Sequence, residues 1–117
     1  MKSSKTNRYH AKKCIIDGVL YDSKKEAARA QDLILLEKAG QICDLKFQVP
    51  FLLQDNFEHD GEKYRKIEYF ADAVYSENGK LIVEDTKSFI TRKDPVYRLK
   101  KKMLLFRYPD IIFRENL

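Results

Sequence analysis

Three ionisable residues, Asp72, Asp85 and Lys87, have the types and spacing needed for metal-assisted cleavage of a phosphodiester. Two carboxylates that face each other on a sheet repel and destabilise it, so such a pair favours a bound cation. Mg²⁺ prefers carboxylate oxygens and keeps several waters for a phosphate and a nucleophile. A nearby ammonium can position that water and stabilise negative charge in the transition state. The general base stays open, because Lys87 could act as a cation or, with a shifted pKa, as the base itself.

A predicted β-hairpin brings these residues together. Residues 66–75 and 80–87 are rich in β-branched and aromatic side chains, and they flank Asn78 and Gly79, a typical two-residue hairpin turn. With this turn, the first aspartate lies directly opposite the second. Alternation of side chains along the strands then predicts that both aspartates and the lysine share one face of the sheet.

Two alternatives bear on this interpretation. Asp72 and Asp85 could lie on a solvated outer face with Lys87 compensating one charge, although both emerge from apolar strand segments, which favours a pocket. Glu84 also precedes the lysine. It is excluded as the lysine's partner because acid and lysine must be two residues apart to share a face, and these are three apart.

A helix over residues 24–39 is predicted to carry a fourth acid. Ser23 and Glu26 have capping-box spacing, helical periodicity follows, and Gly40 ends the segment. Glu26 can therefore be a local cap, a metal or water ligand supplied from across the sheet, or both.

The remaining segments complete a mixed α/β or α+β pattern in the order β-hairpin, α, β, β, β, α, β. The predicted elements are an N-terminal hairpin over 14–21 with its turn at Asp17-Gly18, a strand over 45–53 that Pro50 confines to an edge, a polar loop over 54–62, a helix from Asp94-Pro95 to Pro109, and a short strand over 111–113. In the second helix, Val96, Leu99, Met103 and Phe106 recur at core spacing.

The composition limits the classes of protein to which the chain can belong. The 117 residues are 44% hydrophobic and 35% charged, which fits one compact domain. No apolar run is long enough for a membrane span or a secretory signal, so a soluble, cytoplasmic protein is expected. Cys14 and Cys43 have no metal-ligand or disulfide spacing and are interpreted as reduced thiols.

The net charge of +5 is concentrated in two basic segments, residues 1–13 and 92–102. Basic patches of this kind suit a polyanion, because neutralised phosphates release counterions, although a solvated surface gives the same pattern. The residues predicted to contact DNA phosphates are Lys12, Lys13, Arg98, Lys101 and Lys102.

Together these motifs resemble the PD-(D/E)xK nuclease superfamily. The stretches that carry the resemblance, over roughly residues 9–114, are Ser23-Lys-Lys-Glu26, Tyr69-Phe-Ala-Asp72, Val83-Glu-Asp-Thr-Lys87 and the basic segment that begins at Asp94-Pro95. They look like a small phage-encoded family related to Holliday-junction-resolving and transposon end-cleaving endonucleases. The chain departs from the pattern at Ala71, where the motif has proline, and at Ser88, where many relatives have glycine.

The resemblance implies a restriction-endonuclease-like α-β-β-β-α-β core, with a mixed sheet flanked by helices, and Mg²⁺ dependence with Mn²⁺ as a substitute. It implies that Asp72, Asp85 and the backbone carbonyl of Thr86 are metal ligands, Lys87 the catalytic lysine and Glu26 the helix acid, with Gln48 as a substrate contact or a support of the ligands. The implied organisation is a flexible basic tail over 1–8 and one nuclease-like domain over 9–117.

Three functions are compatible with these features. The first is an endonuclease selective for branched DNA, acting as a homodimer because symmetric cutting of a junction needs two sites related by a two-fold axis. The second is a catalytically silent DNA-binding subunit, which predicts binding without metal dependence. The third is an end-processing or nicking nuclease of a larger phage or transposition complex.

Overall fold

The computed structural model describes residues 14–16, 19–21 and 24–116, and it contains every predicted helix and strand together with three further elements. The elements in chain order are β1 (Cys14–Ile16), β2 (Val19–Tyr21), α1 (Lys24–Lys38), β3 (Cys43–Gln54), β4 (Phe57–His59), β5 (Glu62–Tyr64), β6 (Ile67–Glu77), β7 (Lys80–Thr86), α2 (Phe89–Arg92), α3 (Pro95–Arg107) and β8 (Ile112–Asn116). The predicted tail over 1–8, Lys12, Lys13, the Asp17-Gly18 turn and Ser23 lie outside the described residues.

The N-terminal elements follow the sequence pattern closely. β1 and β2 pair antiparallel, which confirms the predicted hairpin. α1 buries Ala27, Ala30 and Leu33, and Gly40 with a φ of +77° follows its end, where a residue without a Cβ is favoured. Neither α1 nor any other helix in the described part of the chain is long and apolar enough to span a membrane.

Four strands form a mixed sheet in the order β3-β6-β7-β8. β3, β6 and β7 are antiparallel neighbours, and β8 runs parallel to β7. Asn78 and Gly79 both have positive φ, so the predicted hairpin turn between β6 and β7 is confirmed. Pro50 lies in β3, an edge strand, as its missing N–H requires.

Helices cover both faces of this sheet, so the predicted mixed α+β class is confirmed. On one face α1 packs over a cluster formed by Leu33, Ile42, Ala73, Tyr75 and Ile82. On the other face α3 contributes Leu104 to a cluster with Leu53, Tyr69, Ala71, Val74 and Val83. The sheet is therefore the central layer that positions residues toward two different helices.

The prediction of a polar loop over 54–62 is wrong, because this segment begins a second small hairpin. β4 and β5 pair antiparallel around Asp60 and Gly61, which both have positive φ. The rings of Phe57 and Tyr64 stack across it with centroids 4.9 Å apart. Asp-Gly is itself a hairpin signal, and the polar composition of the segment obscured it.

The predicted bounds of α3 are confirmed, whereas its predicted core face is wrong at every position except Met103, which packs against the core. Asp94 caps the helix by accepting a hydrogen bond from the Tyr97 N–H, and Pro95 occupies its first turn. The residue of α3 that is fully buried is Leu104. Three of the four residues at core spacing are exposed instead, with half-buried Met103 between them; this outer stripe consists of Val96, Leu99, Met103 and Phe106.

Candidate active site

The ladder between β6 and β7 opens where the two aspartates face each other. Its last regular pair is Ala73 opposite Glu84, so the predicted register, with Asp72 opposite Asp85, is confirmed. At this position carboxylates replace carbonyls as acceptors. The Asp72 N–H donates to Asp85 Oδ1 at 3.0 Å, and the Thr86 N–H donates to Asp72 Oδ2 at 2.8 Å. Each strand thus fixes the carboxylate of the other.

Asp72 and Asp85 belong to a row of polar residues that crosses all four strands of the sheet. In the β3–β6 register, Gln48 falls beside Asp72, and in the β7–β8 register Asp85 pairs with Glu115. Gln48 has a φ of +55°, a left-handed conformation that is costly for a residue with a Cβ. Strain of this kind within a strand is typical of functional sites, where the surrounding structure holds it.

The alternation of side chains breaks at Asp72, so the prediction that Asp72 shares one face of the sheet with Asp85 and Lys87 is wrong. Ala71 and Val74 both pack in the cluster under α3, whereas Ala73 packs in the cluster under α1. The irregular backbone of β3 at Gln48 lies beside this break. Asp72 accordingly lines a cavity on the α1 side, whereas Asp85 lies near Tyr97 of α3.

Asp85 is the most completely buried carboxylate of the site. Its exposed fraction is 0%, and its Oδ2 atom has no hydrogen-bond partner. The Lys87 ammonium lies 3.8 Å from Oδ1. Burial raises the pKa of the Asp85 carboxyl to about 6, although the positive charge of Lys87 opposes this shift. A buried carboxylate with an unpartnered oxygen is an incomplete site that a cation can complete.

Glu26 lies on the other side of this opening. It lines a cavity of about 10 Å³, the space of about one water molecule, together with Asp72 and Thr86. Within residues 24–116, no group of three or more His, Cys, Asp or Glu side chains is close enough to hold a metal ion. Glu26 therefore shares a cavity with one aspartate but does not form a three-carboxylate cluster with both.

Lys87 is held by a contact that the sequence pattern did not predict. Its ammonium lies 5.6 Å from the centre of the Tyr97 ring, a cation–π contact, and the Tyr97 hydroxyl donates to Glu115. Glu115 also forms ion pairs with Arg92 and Lys101. Burial favours the protonated form of Glu115, but the hydrogen bonds from Tyr97 and Lys101 lower its pKa below the usual value.

Of the residues predicted to contact DNA, Lys101 has a structural role as well. Its ammonium lies 3.3 Å from Glu115 and 5.1 Å from the centre of the Phe113 ring. Arg98 and Lys102 are exposed and line the same open cleft as Lys101 and Glu115. Gln48 is exposed on the edge strand β3.

Glu84 faces the opposite side of the sheet from Lys87, as the predicted alternation requires. It is 1% exposed and is held by Arg29 through two bonds, Nε to Oε2 at 2.6 Å and Nη2 to Oε1 at 3.0 Å. The Tyr75 hydroxyl donates to Oε1 at 2.6 Å. Burial alone would raise the pKa of Glu84, but these hydrogen bonds lower it. We therefore assign Glu84 a structural role as a buried anion that is neutralised by Arg29.

We expect Tyr97→Phe to cost more stability than Tyr108→Phe, although both remove one hydroxyl from α3 or its end. Tyr97 donates to the Glu115 carboxylate, whereas Tyr108 donates to the neutral Leu52 carbonyl at 2.9 Å. Bonds to charged groups contribute about 1.5–3 kcal/mol and neutral ones about 0.5–1.5 kcal/mol. Urea unfolding of both variants measures the difference, and equal losses would contradict the assigned network.

Comparison with known proteins gives a family but no activity. A family model described as "Protein of unknown function (DUF1064)" matches residues 6–115. No curated protein and no solved structure matches the chain.

Proposed function

The chain belongs to the DUF1064 family of proteins of unknown function, and we propose that it is a Mg²⁺-dependent DNA endonuclease. The observation that carries this proposal is the buried Asp85, whose Oδ2 has no partner, beside Asp72 and Lys87 where the β6–β7 ladder opens. Two opposed carboxylates and an ammonium at one opening are the groups that metal-assisted phosphodiester hydrolysis requires.

The residues at the opening fit a divalent cation. Asp85 would hold it through its unpartnered Oδ2, with Asp72 and the backbone carbonyl of Thr86 as the further proposed ligands, and Glu26 borders the cavity beside Asp72. Mg²⁺ binds through one or two carboxylates and leaves positions for waters and phosphate, and Mn²⁺ would substitute. When bound, the ion supplies charge neutralisation at the phosphate and a water of lowered pKa.

Lys87 contributes the electrostatic part of the reaction. Its ammonium is fixed between Asp85 and the Tyr97 ring, so its position is set before substrate binds. From there it can donate to the attacking water and stabilise the negative charge that develops on the phosphoryl oxygens. The partly buried ammonium needs no deprotonation for this role.

Basic residues around the opening would hold the DNA backbone. Arg98 and Lys102 lie on the exposed part of α3 in the cleft that also contains Glu115, and Gln48 lies at the other end of the polar row. Lys101 would contact a DNA phosphate while keeping its ion pair with Glu115. Lys12 and Lys13 would add phosphate contacts from the basic N-terminal segment.

The proposal extends to fold type, substrate and setting. We infer a restriction-endonuclease-like core, because one helix, three antiparallel strands, a second helix and a parallel final strand follow the order that the PD-(D/E)xK resemblance implies. The proposed substrate is branched DNA such as a Holliday junction, cut by a homodimer in phage or mobile-element recombination. The proposed location is the cytoplasm, that of the host cell for a phage-encoded chain.

The test is cleavage of labelled four-way junction, linear duplex and plasmid DNA with Mg²⁺, with Mn²⁺ and with EDTA. Lys87→Ala should slow cutting at least about a hundredfold, because it removes one preorganised positive group. Lys80→Ala is the matched control, since Lys80 is an exposed lysine at the distant end of the same strand. EDTA should stop all cleavage.

Each outcome selects among the candidate functions. Preference for the junction supports a resolvase, whereas cutting of duplex ends or nicking of plasmid supports an end-processing nuclease. Binding of all three DNAs without metal-dependent cutting would refute the enzyme and leave a silent DNA-binding subunit.

A further inference from the structure

The outer stripe of α3 has the geometry of a helix–helix seam that its own fold leaves uncovered. Val96, Leu99, Met103 and Phe106 are spaced by three, four and three residues, the a/d spacing of two heptads. Leu99 is 57% exposed and Phe106 is 88% exposed. The helix already buries a different side against the sheet, through Leu104. Within the stripe, Met103 packs partly against the core cluster, whereas Val96, Leu99 and Phe106 are exposed, so most of this second apolar side of α3 is left at the surface.

The stripe continues onto the neighbouring strand. Phe70 is exposed on β6, and it lines a groove with Val96, Leu99 and Met103 from α3. Together the exposed apolar side chains cover on the order of 500 Å², near the upper end for the largest patch on a monomer. Two such faces would bury on the order of 1,000 Å², about the minimum for a specific interface.

We propose that this face binds the same face of a second copy of the chain, with the two α3 helices packed against each other around a two-fold axis. A narrow heptad stripe is complementary to another helix with the same stripe, and a two-fold axis supplies that helix without any other partner. The groove is bordered by Lys66 and Glu68, which form an ion pair with each other at 3.5 Å, and by Lys100, so two copies would bring only these few charges to the edge of the seam.

Other occupants fit this face less well. Residues 1–13 carry five lysines and arginines, no acid and few apolar side chains, so this segment offers little to an apolar seam bordered by lysines. DNA phosphates would bind the charged cleft on the opposite flank of α3 rather than an apolar stripe. The inference rests on exposure and spacing, and it does not require the proposed nuclease activity.

The experiment is the mass and dimer Kd of the full chain by light scattering and analytical ultracentrifugation. Wild type should be a dimer at micromolar concentration, and Leu99→Glu and Phe106→Glu should each raise the dimer Kd at least about tenfold, because a charge would be buried in the seam. Leu35→Glu is the matched control: Leu35 is a 62% exposed leucine of α1, and its replacement should leave the Kd unchanged.

Circular dichroism and thermal unfolding of each variant separate loss of the dimer from loss of the fold. Folded monomers of both α3 variants beside a dimeric Leu35→Glu support the interface. A monomeric wild type would overturn the proposal, and so would a dimer that persists in both α3 variants. A monomeric wild type would also refute the proposed homodimeric cutting of a junction, whereas metal-dependent cleavage is measured separately and can stand or fail without the interface.

Discussion

Replacing Asp85 by asparagine is expected to abolish metal-dependent cleavage and, at the same time, to stabilise the metal-free protein. Asp85 is fully buried, and its Oδ2 lacks a hydrogen-bond partner. Burying a charged oxygen without a partner costs more than burying a neutral amide, and asparagine retains an acceptor for the Asp72 N–H. We expect the free energy of unfolding in EDTA to rise by about 1–3 kcal/mol.

The loss of activity follows from the same atoms. Asparagine keeps the shape of the side chain but removes the negative charge that would hold the cation, and with it the charge neutralisation and water activation. Cleavage should fall at least about a thousandfold, more than for Lys87→Ala, because a whole group of interactions is lost instead of one.

Three measurements check this prediction: urea unfolding in EDTA, thermal unfolding with and without Mg²⁺ or Mn²⁺, and cleavage. Added metal should raise the melting temperature of wild type and not that of Asp85→Asn. Asp32→Asn, an exposed aspartate of α1, serves as the control with wild-type behaviour. A less stable Asp85→Asn, or equal metal stabilisation of all three proteins, would contradict a cation site at this carboxylate.

The part of the site that could be predicted from sequence is the part set by local structure. Asn78 and Gly79 determine the turn, the turn determines the register of β6 and β7, and the register brings Asp72 opposite Asp85. Every step depends on residues in one continuous hairpin, so short-range rules are sufficient.

The remaining part depends on contacts between distant segments. Glu115 reaches Asp85 only because β8 runs parallel to β7, and Tyr97 reaches Lys87 only because α3 crosses that face. No spacing rule indicates either contact. The break of alternation at Asp72 likewise accompanies the strained backbone of Gln48 on another strand, which periodicity within β6 cannot reveal.

The outer stripe of α3 shows a different limit. A heptad stripe is the same in sequence whether it faces a protein's own core or a partner. The fold places Leu104 in the core, and the stripe is left at the surface, with Leu99 more than half exposed. The periodicity of the sequence therefore predicted that α3 has this apolar side. Only the fold shows that the side faces the surface and not the core.

Removing Arg29 is expected to give the largest loss of stability among single substitutions outside the apolar core. Glu84 is 1% exposed on β7, and Arg29 holds it through two charged hydrogen bonds, with the neutral Tyr75 hydroxyl as a further donor. Arg29→Ala would leave a buried carboxylate with no neutralising partner, which costs about 3–5 kcal/mol. Lys25→Ala, an exposed cation on the same helix, should change stability by less than about 0.5 kcal/mol.

A double-mutant cycle separates the charge from the packing of the arginine side chain. In the Glu84→Gln background the cost of Arg29→Ala should fall to about 1 kcal/mol, because no buried charge remains to be neutralised. Urea unfolding of the four proteins gives the interaction energy, and an unchanged cost in that background would contradict the ion pair. Because Glu84 and Asp85 are adjacent on β7 and face opposite helices, α1 fixes through Arg29 the strand that carries the buried aspartate, and stability on one face of the sheet positions the chemistry on the other.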